Sequence, residues 1–365
     1  MQFAIMKTGL DIFDAARAWG LAIILSSCQK SEVCIRDQGW CFWIKLVDNE
    51  LEWRDPDSTW EIPIDDSDEN WSFVFTTLGQ EARKQKVYRI KSILKNDLCR
   101  EVLEKNFAID AEAMVFVKGG ESLPGGLDPS AFKGVRQKTR ARYEEDQLKI
   151  EKHHWALACL GMALCGSYQR IGSTGIQRTI GLLPIPYDVT LSQWAEVQEL
   201  TRWQRPSKST AQQDTGLSKQ VGGTTVAAQA AVQLAERIRK RAAAQGSLRD
   251  RFSEIAFFEL FKTSHQPKPA QGNRVQLDRL TQIILGSPKQ AEEIFAWLDY
   301  CFRRGSKKGA QDLALAATEF IFRWDLESYY RLVYIFVRYL ADNEIAMEKR
   351  PNEEAMKEVL RYVTI

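Results

Sequence analysis

Basic side chains gather at three places in the sequence, and their spacing suits contact with the phosphates of a nucleic acid. Residues 133–142 hold five bases and no acid: Lys133, Arg136, Lys138, Arg140 and Arg142. Arg136 and Arg140 can share one face of a helix, and each guanidinium offers phosphate oxygens a rigid fork of donors. The alternative is pairing within the helix, such as Arg140 with Glu144, although this base-before-acid order is the weaker one.

A second cluster follows the end of one predicted helix into the next segment. Its members are Arg237, Arg239, Lys240, Arg241, Arg249 and Arg251. The helix dipole favours cations near a helix C-terminus, but four bases in five residues exceed what a cap needs. Lys307 and Lys308, beside Arg303 and Arg304, form a third basic corner. Such corners on a helical bundle can follow the backbone of a single strand without reading its bases.

Sequence patterns typical of catalysis and of metal binding are missing. The chain contains no G-x-x-x-x-G-K-[ST] phosphate loop and no G-x-S-x-G nucleophile elbow. His153 and His154 are adjacent on a predicted helix, about 100° apart, so they cannot easily share one ion. Carboxylates distant in sequence can still converge on a two-metal nuclease site, but no pair is singled out. We therefore expect no catalytic residue, no metal and no cofactor.

Composition places the chain among ordinary globular proteins with charge segregated along the sequence. Of 365 residues, 44% are hydrophobic and 27% charged, which fits a soluble protein of two domains. The net charge of +2 gives no global attraction to nucleic acid, but residues 48–69 are strongly acidic, in contrast to the basic clusters. Seven cysteines without a C-x-x-C pair, and no recognisable signal peptide or membrane span, favour free thiols in a reducing cytoplasm.

The first 204 residues are predicted to form a mixed α+β domain. We expect the segment from Thr8 to be a helix that ends at Gly20, followed by a buried strand at 21–25. Alternation at 32–36 and 40–47, with a third short strand at 51–53, predicts an antiparallel β-meander. Residues 77–107 and 128–168 have helical spacing, and a short helix is expected at 190–203. The Gly- and Pro-rich stretches from Lys118 and at 171–189 read as irregular connections.

The remainder of the chain is predicted to be helical. Residues 205–224 are polar and rich in Ser, Thr, Gln and Gly, as in a flexible linker. Beyond them we expect an all-α helical bundle over 225–365, with helices near 225–244, 248–262, 274–285, 288–303, 308–323, 325–341 and 352–362, and no strand. The predicted fold class is therefore α+β: an N-terminal domain with an antiparallel β-meander and helices, followed by the helical bundle.

Several stretches together resemble one protein family. The opening segment carries T-G-x-x-x-x-D-A-x-x-x-x-G-L-A, formed by Thr8, Gly9, Asp14, Ala15, Gly20, Leu21 and Ala22. With LPGGLDPSAFKGVR at 123–136, HWALACLGMALCG at 154–166 and LPIPYDV at 183–189, it is similar to the large subunits of type I CRISPR effector (Cascade) complexes, especially the shorter type I-A and I-B-like forms. The helical bundle is similar to that of the same family, which in turn resembles the separate small subunit.

The resemblance implies a non-catalytic subunit of an RNA-guided complex. Such subunits dock at the 5′ end of the guide RNA, bind the short motif that flanks the target DNA (the PAM) and stabilise the R-loop, while sequence is read by guide pairing. The implied partners are the guide CRISPR RNA, double-stranded target DNA and its displaced strand, the other Cascade subunits (backbone, guide-end cap and small subunit), and a recruited helicase–nuclease or transposition adaptor, with no membrane. Loops 118–127 and 171–178 are the candidate PAM readers, with Gln177 and Arg178 able to reach base edges.

Two other classes of function compete with this interpretation. A metal-dependent nuclease would cleave nucleic acid only with a divalent ion and would lose activity when one carboxylate is changed. A helical adaptor that binds only protein would not depend on the basic clusters. The scarcity of histidine argues against the first, and the clustered bases argue against the second.

Overall fold

The structure is a computed structural model, and it describes most of the chain with several gaps. The described residues are 2–29, 32–47, 71–76, 78–109, 111, 114–127, 148–173, 176–191, 199–201, 222–248, 250–262, 267–305, 310–343 and 353–364. They divide into two units. The N-terminal unit comprises residues 1–170, 174–202 and 258–272, and the C-terminal unit comprises 171–173, 203–257 and 273–365.

Helices and strands alternate through the first half of the chain. The strands are β1 (Gln2–Met6), β2 (Val33–Asp37), β3 (Cys41–Leu46), β4 (Phe116–Ser122), β5 (Lys149–Ile150), β6 (Ser167–Ser173) and β7 (Ile176–Leu191). The helices are α1 (Asp11–Gln29), α2 (Trp71–Val74), α3 (Gln80–Ser92), a π-helical turn (Ile93–Asp97), α4 (Arg100–Phe107) and α5 (Lys152–Cys165).

The second half is mainly helical. It contains α6 (Gly223–Gln245), strands β8 (Arg251–Lys262) and β9 (Pro267–Gln276), then α7 (Asp278–Gly286), α8 (Pro288–Gly305), α9 (Gln311–Arg323), α10 (Leu326–Asp342), α11 (Glu353–Val359) and a 3₁₀ turn (Leu360–Tyr362). In the C-terminal unit α6, α8, α9 and α10 pack in sequence through their apolar faces. Thr318 on α9 donates a hydrogen bond of 2.9 Å to Thr225 on α6, which satisfies two hydroxyls inside this bundle.

The main sheet of the described residues has seven strands. Its order is β1-β3-β2-β7-β8-β9, and β6 also pairs with β7. Ile35 on β2 lies opposite Ile44 on β3 and opposite Val189 on β7. Because alternate strand residues point to opposite faces, this register puts the buried side chains Phe3, Ile5, Ile35, Ile44 and Val189 on the face that α1 covers. A separate two-stranded sheet pairs β4 with β5.

The tightest packing in the N-terminal unit is between α1 and α5. A Cβ added to Gly20 on α1 would lie 2.0 Å from the carbonyl oxygen of Leu157, and one added to Gly161 on α5 would lie 1.9 Å from that of Ala16. Each glycine therefore lets the opposite backbone approach to a distance that no other residue allows. Alanines and large apolar residues fill the rest of the contact, and nearly all of them are fully buried.

The opening segment differs from its prediction. Residues 21–25 are not a strand but continue α1, which runs without interruption from Asp11 to Gln29. Gly20 is a packing position in mid-helix rather than a C-cap, because its missing side chain admits α5. A local pattern cannot distinguish these two uses of glycine, since only the partner helix decides between them.

Two stretches predicted as irregular connections are strands. Residues 116–122 form β4, although the chain from Lys118 is rich in glycine, and most of 171–189 falls in β6 and β7. Pro184 and Pro186 lie inside β7, where a sequence argument disfavours strand because proline cannot donate to a ladder. The meander strands at 32–36 and 40–47 are confirmed as β2 and β3, whereas the expected strand at 51–53 lies outside the described residues.

The helix predictions are confirmed in most places and wrong in three. Helices occupy much of 77–107 and the predicted regions 225–244, 288–303, 308–323, 325–341 and 352–362. The helical segment predicted over 128–168, with a break at Gly134 left open, is wrong where the chain is extended at 149–150 and beyond 165, while 128–147 lies outside the described residues. Residues 190 and 191 belong to β7, and only 199–201 of the expected helix at 190–203 are described, as helical.

The third error falls in the predicted all-α region. Residues 248–262 form strand β8 rather than a helix, and β9 occupies 267–276, so the following helix begins only at Asp278. The run Phe252–Leu260 is rich in phenylalanine and buried on both faces, and for such a run periodicity alone does not separate strand from helix. The α+β class, with an N-terminal antiparallel sheet region and a C-terminal helical region, is confirmed.

Two absences concern only the part of the chain that the structure describes. There, no helix is long and apolar enough to cross a bilayer. No group of three or more His, Cys, Asp or Glu side chains in the described ranges is placed to hold a metal ion.

The cysteine side chains that the structure describes are free thiols: Cys34, Cys41, Cys99, Cys159, Cys165 and Cys301. Most of the predicted linker 205–224 falls outside the described ranges, and α6 begins at Gly223.

The glycine contact predicts a sharp difference between two alanine substitutions. Gly161→Ala should lower the free energy of unfolding by about 2–4 kcal/mol, because the new methyl group forces α1 and α5 apart. Gly79→Ala is the matched control, since a Cβ there meets nothing within 4 Å, and it should cost less than about 1 kcal/mol. Urea unfolding of both variants measures the difference. Equal stabilities would show that the two helices do not depend on this contact.

Candidate nucleic-acid interface

The most basic helix of the N-terminal unit is α3. Residues 82–96, from α3 into the π-helical turn, contain no acid and six bases: Arg83, Lys84, Lys86, Arg89, Lys91 and Lys95. Val87 and Ile90 are buried and fix the helix against its neighbours. The six bases therefore lie on the remaining faces of the helix, and the sequence clusters discussed above did not include them.

One carboxylate of β4 is shared by two of these bases. Lys86 Nζ lies 2.8 Å from Glu121 Oε2, and Arg89 donates to the other oxygen of the same group. Burial alone would raise the pKa of Glu121, but the hydrogen bonds and charges of Lys86 and Arg89 outweigh it and hold that pKa below its usual value. Glu121 therefore stays ionised and the trio keeps one net positive charge.

Two further bases lie on the β4–β5 pair. Lys118 is exposed on β4, and Lys149 Nζ donates a 2.8 Å hydrogen bond to Ser122 Oγ across the two strands. Ser122 and Lys149 are register partners, whereas Glu121 lies opposite Ile150, so Lys149 points to the other face of the strand pair from Glu121. We call the six bases of residues 82–96 the α3 surface. Its charge pattern suits phosphate contacts.

The first predicted cluster, which consists of Lys133, Arg136, Lys138, Arg140 and Arg142, lies outside the described residues. The described chain stops at Leu127 and resumes at Leu148. The backbone N–H of Leu123 donates to the carbonyl of Leu148 at 3.0 Å, directly after the Ser122–Lys149 pair.

The two predicted PAM readers lie on β7. The backbone of Gln177 is part of the strand, and its side chain is outside the described set. Arg178 forms an ion pair with the buried carboxylate of Glu259, and its guanidinium lies 5.0 Å from the ring centre of Phe261. The structure thus gives Arg178 a structural partner on β8, and a role in base reading would require that ion pair to be exchanged for a base.

The second predicted cluster is largely compensated by acids. Arg239 pairs with Glu236 at 2.7 Å and with Glu292 at 3.2 Å, and Arg241 pairs with Asp250 at 2.9 Å. Lys240 is mostly exposed and lies 3.6 Å from Glu236, while Arg237 Nε donates to the carbonyl of Gln233. The hydrogen bonds and charge of Glu236, with Glu292, raise the pKa of Arg239. These bases do not cap the helix, because α6 continues to Gln245 and ends at Gly246.

Of the remaining predicted bases Arg249, Arg251, Lys307 and Lys308, the structure describes only Arg251. This residue is exposed at the start of β8, and the other three lie outside the described residues. Sequence spacing does not reveal the ion pairs with Glu292 and Asp250, since neither acid lies on α6. The structure therefore brings the 237–241 bases together with acids rather than with one another.

A buried polar cluster sits beneath the opening motif. The Asp14 carboxylate accepts hydrogen bonds from Thr8 N, Thr8 Oγ1 and Gly9 N at 2.7–3.1 Å, and it pairs with Arg17. Arg17 is fully buried and also donates to the carbonyl of Met6 at 2.6 Å. A buried charge needs both a counter-ion and hydrogen bonds. Asp14 and Arg17 are each other's counter-ion, and the hydrogen bonds from Thr8 and Gly9 and to Met6 complete the site.

The cluster extends from α1 to α5 through a histidine. Arg17 Nη1 lies 3.1 Å from His154 Nδ1, and because arginine can only donate, this nitrogen accepts and His154 is neutral. Burial, followed by the charge of Arg17, lowers the pKa of His154 to about 3. Glu151 caps α5 by accepting from the backbone N–H groups of His153 and His154 at 2.8 and 3.2 Å.

The sequence contained a signal for the α3 surface that spacing arguments overlooked. Six bases without an acid in fifteen residues form a longer one-sign run than residues 133–142. Its apolar positions Val87, Ile90, Ile93 and Leu94 have helical spacing, so periodicity predicts a helix there and nothing more. Charge counted per predicted helix, rather than in short windows, would have detected it.

Comparison with known proteins gives one full-length likeness and no family. No protein-family model matches the chain. The chain is similar to an uncharacterized protein of Archaeoglobus fulgidus, with 25% identity over 374 aligned positions that cover 100% of this chain and 99% of that protein. Since the description of that relative states no activity, the functional argument has to come from the residues themselves.

The neutral His154 predicts how stability changes with pH. An unfolded histidine titrates near pH 6.5, so between about pH 6.5 and 3 the unfolded chain binds a proton that the folded protein does not. The stability present above pH 6.5 should therefore fall by up to about 1.4 kcal/mol per pH unit on acidification through this window. In His154→Asn, whose amide oxygen can still accept from Arg17, that part of the slope should disappear. Urea unfolding at a series of pH values measures it, and parallel curves for the two proteins would refute the assignment.

Proposed function

We propose that this protein is the non-catalytic large subunit of an RNA-guided type I CRISPR Cascade complex. In this role it binds DNA that flanks the target, stabilises the R-loop and recruits a downstream effector. The observation that carries the proposal is that the sequence stretches behind the family resemblance are not scattered over the fold. They meet in one packed assembly within the N-terminal unit.

The opening motif and the stretch at 154–166 meet at the α1–α5 contact. The motif supplies Gly20 and the stretch at 154–166 supplies Gly161, and each lies against the backbone of the other helix. The motif residue Asp14 pairs with Arg17, which contacts His154 at the start of the stretch at 154–166. Residues that identify the resemblance are therefore the same residues that build the helix pair.

The other two stretches pack around that pair. Trp19 Nε1 on α1 donates a 2.9 Å hydrogen bond to the carbonyl of Pro184, in the LPIPYDV stretch. In the LPGGL part of the remaining stretch, Gly126 N donates to the carbonyl of Val74 on α2 at 3.3 Å. Phe73 of α2 stacks on Tyr168, directly after α5, with ring centres 3.6 Å apart. A shared core that uses all four stretches supports common descent more strongly than four separate short matches.

The α3 surface supports the nucleic-acid part of the proposal. It lies in the same unit as this core. Phosphate contacts of this kind position a nucleic acid without reading its sequence, which suits a complex in which guide pairing supplies the sequence specificity. Under this proposal the partners are the guide RNA, the target duplex with its displaced strand, the other Cascade subunits and the recruited effector.

The proposal predicts which molecules accompany the protein in its native cell. The tagged full-length chain should co-purify with several partner subunits and with short RNAs that carry a common repeat-derived 5′ sequence. Mass spectrometry and RNA sequencing of the same preparation measure both. A Gly161→Ala chain is a useful control, because disturbing the α1–α5 contact should reduce the recovery of RNA and partners together.

Two results would contradict the proposal. Pure protein without RNA would remove the guide-RNA assignment, and RNA without a shared repeat-derived end would indicate a different nucleic-acid-binding protein. Divalent-dependent cleavage of DNA by the isolated chain would instead favour the nuclease interpretation.

A further inference from the structure

An exposed tyrosine stands in the middle of the α3 surface. Tyr88 is 76% exposed, the largest exposed fraction among the large hydrophobic side chains in the part of the chain that the structure describes. Scattered exposed apolar residues are common and need no explanation. Tyr88 is different because of its surroundings, which are basic on both sides along the helix.

The helical spacing places two lysines next to this ring. Lys84 precedes Tyr88 by four residues and Lys91 follows it by three, so both flank the tyrosine on one side of α3. The neighbouring residues Val87 and Ile90 face the protein interior. The exposed ring therefore lies between two lysines along the helix, on the side away from the core. Lys84 Nζ also lies 3.2 Å from the exposed carboxylate of Glu81, an ion pair that a phosphate would have to replace.

This combination fits a strand with unpaired bases better than a duplex. Single strands are bound by positive charge along the backbone together with aromatic rings on which bases stack, and the stacking tolerates any base. In a duplex the base faces are already stacked on each other, so a surface tyrosine reaches only phosphate and sugar. The aromatic face of the ring therefore contributes stacking only where the bases are unpaired.

We propose that Tyr88 stacks on an unpaired base of a single nucleic-acid strand while Lys84 and Lys91 contact the phosphates on either side. The inference rests on the proposed function, since it requires the α3 surface to bind nucleic acid. It goes further by assigning this surface to unpaired nucleotides and by naming the residue that distinguishes them from a duplex.

The test compares binding of three probes by the full chain: oligo-uridylate RNA, oligo-thymidylate DNA and a blunt DNA duplex. Tyr88→Ala should weaken binding of at least one single strand by roughly 5- to 100-fold, the range expected for loss of one base stack. The dependence of the affinity on salt should not change, because the variant removes no charge. Binding of the duplex should stay within about twofold of wild type, as no stack is lost there.

Two further variants make the result specific. Tyr88→Phe keeps the ring and should bind like wild type. Tyr334→Ala removes another strongly exposed tyrosine, on α10 in the C-terminal unit, and should leave all three affinities unchanged. Fluorescence anisotropy with labelled probes measures every combination.

The outcomes separate this inference from the proposed function. If wild type binds the probes but Tyr88→Ala has no effect, or weakens the duplex equally, stacking by Tyr88 is wrong and the α3 surface stands. Equal losses in Tyr88→Phe and Tyr88→Ala would also overturn stacking. If wild type binds none of the probes, the nucleic-acid role of the α3 surface is wrong, and the stacking inference falls with it.

Discussion

The N-terminal unit depends on one constraint, the close approach of α1 and α5. Two helix backbones approach this closely only where one of them lacks a side chain at the contact, and here Gly20 lies against Leu157 and Gly161 against Ala16. The approach brings Arg17 within hydrogen-bonding distance of His154. It thereby links the buried Asp14–Arg17 ion pair to the capped start of α5, so that a packing contact and a polar network fix the same geometry.

The position of the α3 surface follows from that helix pair. Helix α3 packs on α5 through Val87 and Ile90, and Lys86 reaches over the ring of Trp155 at 5.3 Å. The same core therefore holds one face of α3 and leaves the basic side chains and Tyr88 outside. In the C-terminal unit the corresponding bases on α6 meet the acids Glu236, Glu292 and Asp250. On α3, Lys84 pairs with Glu81, and Lys86 and Arg89 share Glu121. Residues 82–96 nevertheless combine six bases with no acid of their own, which makes them the candidate for polyanion contact.

Sequence reasoning worked where local patterns decide the structure. The hairpin of β2 and β3 and the late helices follow from alternation and from helical periodicity. It failed where a distant element decides. Gly20 looks like a helix end until α5 is present, prolines inside β7 argue against a strand that its neighbours impose, and the phenylalanine-rich β8 has no periodicity that excludes a helix. The basic clusters are visible in the sequence as charges, but the fold decides which acids pair with them, as when Arg239 meets Glu292 from α8.

If the protein binds nucleic acid as proposed, the bases of the α3 surface contact the phosphates. The decisive measurement is how the affinity for a single strand depends on salt. The variant is Lys84→Gln/Lys91→Gln/Lys95→Gln. The control, Arg331→Gln/Arg338→Gln/Arg361→Gln, changes the charge by the same amount in the C-terminal unit, where these arginines pair with acids. Losing three phosphate contacts should reduce the slope of log affinity against log salt by about 2, whereas the control should keep the wild-type slope. An unchanged slope in the α3 variant, or the same reduction in both, would contradict the assignment of this surface.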